Sequence, residues 1–222
     1  MKKLFYLLSV LLIAFACVYR QPEKEEIRFI SDAVKEAKVA NKLLIIEFWA
    51  PECEPCIRLK QDVLENGKNM EFLNNNFVLV KVSPADSVYK SLWNYYNLEY
   101  QSTVIFLDMN GNEIDRSVSY NGNSDEYLNF LKEVSAGRNL YSVVFSTYKK
   151  DTLNVNSNYI LAQKLIFRNR IKDAINKFNN VLLYDPENTK GHNSECRFRI
   201  AECEQLLIQD RSAVYSDLYS RK

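Results

Sequence analysis

An excess of either sign of charge is nearly missing from this 222-residue chain. Its 29 Lys and Arg balance 28 Asp and Glu, for a formal net charge of +1, and no long basic run occurs. Phosphate binding needs a concentrated positive surface, so no nucleic acid is expected as a partner. Cysteine is scarce. Five residues, Cys17, Cys53, Cys56, Cys196 and Cys203, are too few for a scaffold built on disulfides. Histidine occurs once, at His192. A structural zinc needs four ligands, and His192 with Cys196 lies far along the chain from Cys53 and Cys56, so no metal is expected. Nothing in the sequence implies a cofactor. Long apolar runs are also lacking. The run from Leu4 to Ala16 falls short of the roughly 20 residues that a membrane span needs.

What is present begins at that run. Lys2 and Lys3 precede it, and a basic start followed by a short apolar stretch is a secretory signal pattern. The stretch ends in Ala14-Phe15-Ala16-Cys17. A small residue directly before a cysteine resembles the lipobox of bacterial lipoproteins, which implies cleavage before Cys17 and a lipid on its thiol. An uncleaved signal anchor and a soluble secreted protein are the alternatives. Either way the chain reads as exported, to a periplasm or cell envelope, with residues 1–22 as signal segment and tether.

From residue 23 to about 138, apolar strands alternate with helices. Leu43 to Trp49 is an apolar run broken by one acid, Glu47; its length and β-branched content suit a buried central strand. Phe77–Val82 and Thr103–Leu107 read as further strands. Asn110-Gly111-Asn112 is a turn signal leading into a return strand over Glu113 to Ser119. Helices are expected over residues 33–40 with Ser31-Asp32 as N-cap, from Cys53 to about Gly67, from Asp86 to Tyr96 and from Ser124 to Val134. This order implies an α/β fold, a central sheet covered on both faces by helices. From residue 139 to 222 strand signals stop, and four amphipathic helical stretches imply a small all-α region. Cys196, Ile200, Cys203 and Leu207 share one stripe there. Two helical turns, about 10 Å, separate its cysteines, too far for a disulfide, so both read as core.

The order strand, Phe48-Trp49-Ala50-Pro51-Glu52-Cys53-Glu54-Pro55-Cys56, helix resembles the active-site turn of the thioredoxin family, and the resemblance covers roughly residues 26–136. It implies a reactive pair in which Cys53 attacks a disulfide and Cys56 resolves the mixed disulfide. Physical chemistry agrees. A cysteine at a helix start sits among unpaired N–H groups at the positive end of the dipole, where thiolate is favoured. Pro55 fits the first turn, which needs no donor there. Glu52 and Glu54 oppose the thiolate and push the pair toward reducing chemistry; Arg58 and Lys60 complicate this balance, since the sequence does not show how far they reach. The family's buried carboxylate, which assists deprotonation of the second cysteine, is matched by Glu47, and its lysine partner by Lys81. Trp49 belongs to the same motif. One position departs. Where relatives carry a cis-proline before the third strand, this chain has Ser102, and a cis bond before a non-proline residue costs about 2.5–4 kcal/mol, so a trans Gln101–Ser102 bond is expected.

In the second region, Ala162, Ala174-x-x-x-Phe178, Val181 and Pro186 resemble one tetratricopeptide repeat over residues 155–188, with Asn158 in place of its leading aromatic. One repeat cannot bury its own faces, so neighbouring helices must cap it. The expected function is thiol–disulfide oxidoreduction on exported proteins. The expected partners are protein or peptide thiols and disulfides and an electron-donor redox protein. The rival expectation is a non-catalytic interaction protein built on the same scaffold.

Overall fold

The computed structural model describes residues 23–220. The expected signal segment and the proposed lipid site at Cys17 lie outside the described residues. Four strands form one sheet in the order β2-β1-β3-β4: β1 (Leu43–Phe48), β2 (Phe77–Val82), β3 (Thr103–Leu107) and β4 (Glu113–Val118). The β1–β2 pair is parallel and the other two are antiparallel. Helix α1 (Glu23–Ala40) leads into β1. Helices α2 (Glu54–Leu59) and α3 (Met70–Asn76) fill the first crossover, and α4 (Tyr89–Tyr95) fills the second. The sheet is followed by α5 (Ser124–Ser135).

The β1 and β3 runs are apolar because both faces of the sheet are covered. On one face Leu44, Ile46, Phe48, Ile105 and Leu107 pack with Ala33 and Ala37 of α1 and Leu92 of α4. On the other, Ile45, Val104 and Phe106 pack with Leu59 of α2 and Leu131 and Val134 of α5. The two-residue period of β1 sends Glu47 to the same face as Ile45.

Two local expectations are corrected. Ser31 and Asp32 lie inside α1, which starts at Glu23, so they do not cap it. The helix expected from Cys53 to Gly67 is interrupted: α2 gives way to a π-helical turn over Lys60–Leu64. There the Glu65 N–H donates to the Lys60 carbonyl at 2.8 Å. The Val63 carbonyl at its end accepts from Asn69 Nδ2 at 3.2 Å. A π turn takes in one residue more than an α turn, and it reorients everything after Lys60.

Beyond residue 139 the described chain is helical: α6 (Tyr141–Lys150), α7 (Val155–Ile166), α8 (Ile171–Tyr184) and α9 (Asn193–Ser220). Ala162, Ala174, Phe178 and Val181 are fully buried at the centre of this bundle. Asn158 is buried too. Its amide donates to the Thr152 and Asn154 carbonyls and accepts from Asn180, a polar lock where an aromatic was missed. Cys196 and Cys203 are buried free thiols. Among the described residues, no helix is long and apolar enough to cross a membrane.

Candidate active site

The turn between β1 and α2 carries the cysteines. Trp49 N–H donates to the Val82 carbonyl at 3.0 Å, so the chain leaves β1 still tied to β2. Cys53 then occupies the N-cap of α2, with Pro55 in the first turn. Cys56 lies one turn on, and its N–H donates to Cys53 Sγ at 3.3 Å. The two are joined in a disulfide with 5.3 Å between Cα atoms. Cys53 is 8% exposed and Cys56 is 2% exposed, so the first sulfur is the one nearer solvent. With Ala50 they form a small cluster on which Trp49 packs half-buried. Glu52 and Glu54 are exposed. The two nearby cations are committed elsewhere: Arg58 to Glu54 at 3.5 Å and Lys60 to Glu65 at 3.4 Å.

Glu47 is 2% exposed and stands beside Lys81 in the parallel register. Burial raises its pKa above the ordinary carboxylate value, and the Lys81 ammonium pulls the other way. The two are 3.8 Å apart, and Glu47 Oε2 has no hydrogen-bond partner. Lys81 instead donates to Glu65 at 2.5 Å.

Ser102 sits at the end of β1 from which the cysteine turn departs. Its N–H donates to the Phe48 carbonyl at 3.0 Å, and its carbonyl accepts from Ser119 N–H at 2.9 Å. Among the described residues every peptide bond is trans, the Gln101–Ser102 bond included. Ser102 has φ +58°, in the left-handed region. A proline there would lose the bond to Phe48 and could not reach that φ. The serine is therefore part of a different loop conformation and does not merely stand in for a proline. Its hydroxyl is buried without a partner.

Sequence reasoning missed three side chains here. Glu65 follows the π turn, and no periodicity announces one. Tyr120, in the loop after β4, donates to Asp62 at 3.1 Å; burial and that carboxylate push its pKa up to about 12. Tyr127 of α5 shares a 2.7 Å hydrogen bond with Ser117. A cleft of about 530 Å³ opens beside this loop, lined by Ser119, Tyr120 and Phe130 on one side and Gln163, Phe167 and Arg199 on the other. Among the described residues no group of His, Cys, Asp and Glu stands together as a metal site.

The family model described as a thioredoxin-like domain matches residues 30–135. Among solved structures the chain is similar to a disulphide isomerase from Xylella fastidiosa Temecula1, at 16% identity over 53% of this chain and 96% of that one, with a TM-score of 0.41. A putative disulphide-isomerase from Bacteroides thetaiotaomicron is 26% identical over 46% of this chain and 84% of that one, TM-score 0.41. The C-terminal domain of Neisseria meningitidis DsbD in its oxidised form is 14% identical over 49% and 95%, TM-score 0.41. No curated protein matches the chain. The family match spans the whole sheet and both cysteines of the β1–α2 turn, and residues 30–135 have the fold of a thioredoxin-like domain.

Proposed function

We propose that this chain is a thiol–disulfide oxidoreductase acting on exported proteins through Cys53 and Cys56. The observation that carries the reading is the Cys53–Cys56 disulfide at the start of α2, one sulfur nearer solvent and one buried, inside a thioredoxin-like domain. In the reducing direction the Cys53 thiolate attacks one sulfur of a substrate disulfide. A Cys53–substrate disulfide forms, and the other substrate sulfur leaves as thiolate. Cys56 loses its proton, with Glu47 as acceptor, and attacks Cys53 Sγ. The Cys53–Cys56 disulfide closes and the second substrate thiolate leaves. The substrate gains two electrons and two protons, and an electron-donor redox protein restores the dithiol. Lys81 supports Glu47, while Trp49, Pro55 and Ser102 shape the turn. Cys56→Ser should accumulate mixed disulfides through Cys53, and Cys53→Ser should accumulate few. The opposite pattern on non-reducing gels reverses the assignment.

The division of the chain goes with this reading: residues 1–22 for export and anchoring, 23–138 for the redox domain, 139–222 for a tetratricopeptide-like helical region. The basic–apolar–Ala16-Cys17 pattern supports a lipid-anchored protein of the periplasm or cell envelope. Metabolic labelling with a lipid precursor should mark the wild type and not Cys17→Ser; equal labelling would remove the anchor.

A second reading is favoured by Ser102 and by the cleft between the redox domain and the helices: a non-catalytic protein that binds a protein partner there. A disulfide turnover assay separates the two, because this reading expects no turnover from the wild type.

A further inference from the structure

We propose that Glu65 is a positioning residue, which sets proton exchange at the disulfide centre by drawing the Lys81 ammonium off Glu47. The proposal rests on the oxidoreductase reading given above and adds to it a residue outside the cysteine motif.

The contest is visible in the distances. Lys81 Nζ stands 2.5 Å from Glu65 Oε1 and 3.8 Å from Glu47 Oε2. Strand pairing sets Lys81 directly beside Glu47, so proximity along the sheet does not explain the preference. The π turn does. It ends at Leu64, so Glu65 leaves the helix with its carboxylate over the outer end of Lys81. Lys60, from the same turn, holds the other Glu65 oxygen at 3.4 Å. Solvation favours this arrangement. The Glu65 side chain is 47% exposed and that of Glu47 is 2% exposed. An ammonium that pairs at the surface keeps part of its hydration, which it would give up beside the buried acid.

The consequence falls on Glu47. Its Oε2 stays without a hydrogen bond, with Lys81 held off at 3.8 Å, and the other groups around it add little counter-charge. Tyr127 of α5 is neutral and already bonded to Ser117. Val104 of β3 lies alongside, and Lys60 is engaged with Glu65. The Glu65 anion itself also disfavours charge on Glu47. Both effects keep Glu47 a weaker acid, and therefore a better proton acceptor near neutral pH, than a Glu47–Lys81 pair alone would be.

The test follows Glu47 directly, by the carboxyl carbon shift in full-length oxidised protein labelled at glutamate carboxyls. The signal is assigned by its loss in Glu47→Gln. Glu65→Gln should free Lys81 for Glu47, which then titrates about one pH unit lower, and the pH profile of disulfide exchange should move the same way. In a Lys81→Met background, Glu65→Gln should move the Glu47 midpoint less than half as far, because the route through the lysine is gone. An unmoved midpoint in Glu65→Gln overturns the proposal. So does a shift of the same size with and without Lys81, which would mean direct repulsion only. If the wild type exchanges no disulfides, the oxidoreductase reading falls, yet the carboxyl titration still decides the role of Glu65.

Discussion

Glu47 is the one acid in a strand that is otherwise apolar, and its cost to the fold depends on pH. Burial raises its pKa from the ordinary 4.5, with Lys81 opposing. The folded protein thus holds this proton more tightly than the unfolded chain does. The Glu47 contribution to stability is present in full below the ordinary value and is lost as pH rises through the raised one. Glu47→Gln keeps the shape and removes the charge. In the oxidised protein its urea midpoint should exceed that of the wild type at about pH 8, and the gap should close toward about pH 4. A gap of equal size at both pH values would show that the folded protein holds the Glu47 proton no more tightly than the unfolded chain does. The place of Glu47 was legible in the sequence, because an acid inside an apolar β run is conspicuous. Its surroundings were less so. Lys81 was named as its partner through the thioredoxin resemblance, and strand pairing does set it alongside, but a lysine stem reaches several acids, and the sequence does not rank them. Ser102 was legible as a departure; its φ of +58° was not, since serine carries no mark for the left-handed region as glycine does.

Elements divided along the same line. Strands β1 and β3 were readable because two-sided burial writes a nearly unbroken apolar run, and β2 because Phe77-Val78-Leu79-Val80 is apolar even though the strand stands at the sheet edge. The hairpin was readable because Gly111, at φ +83°, meets a turn that an L side chain seldom accepts. The π turn was hidden. Lys60-Gln61-Asp62-Val63-Leu64 has the composition of any helix, and what stabilises the turn lies beyond it, in the Asn69 bond to Val63. The start of α1 was misplaced for a related reason: Ser31-Asp32 is a good cap in isolation, but a cap signal does not end a helix already under way. In the helical region the small and apolar positions of α7 and α8 were legible as a packed pair. Asn158 was read only as a missing aromatic. Its three hydrogen bonds satisfy a buried amide that would otherwise cost the bundle.

At the scale of the molecule, the edge strand β4 is where the two regions meet, and charge holds them there. Asp115 on β4 is fully buried and bonds Lys164 of α7. Arg168, just past α7, reaches Glu113 at 3.0 Å and Asp115 at 3.6 Å, and stacks on Tyr141 at 3.7 Å. No sequence pattern pairs residues 49 positions apart, so this lock was invisible beforehand. It covers an edge that would otherwise offer free backbone groups to another chain. A buried pair broken on one side leaves an uncompensated charge, so Lys164→Met should cost about 3–5 kcal/mol. Adding Asp115→Leu should recover much of that loss, since an apolar replacement of both partners is often tolerated. The loss should also appear as uncoupling. Both tryptophans, Trp49 and Trp93, lie in the thioredoxin-like domain, so fluorescence follows that part alone. Far-ultraviolet circular dichroism follows every helix, including α6 to α9. In urea the two signals should change together in the wild type, as for one cooperative unit. In Lys164→Met they should separate. Signals that coincide in the variant, with little change in midpoint, would mean that apolar packing alone joins the regions and that the charges on β4 contribute nothing to holding them.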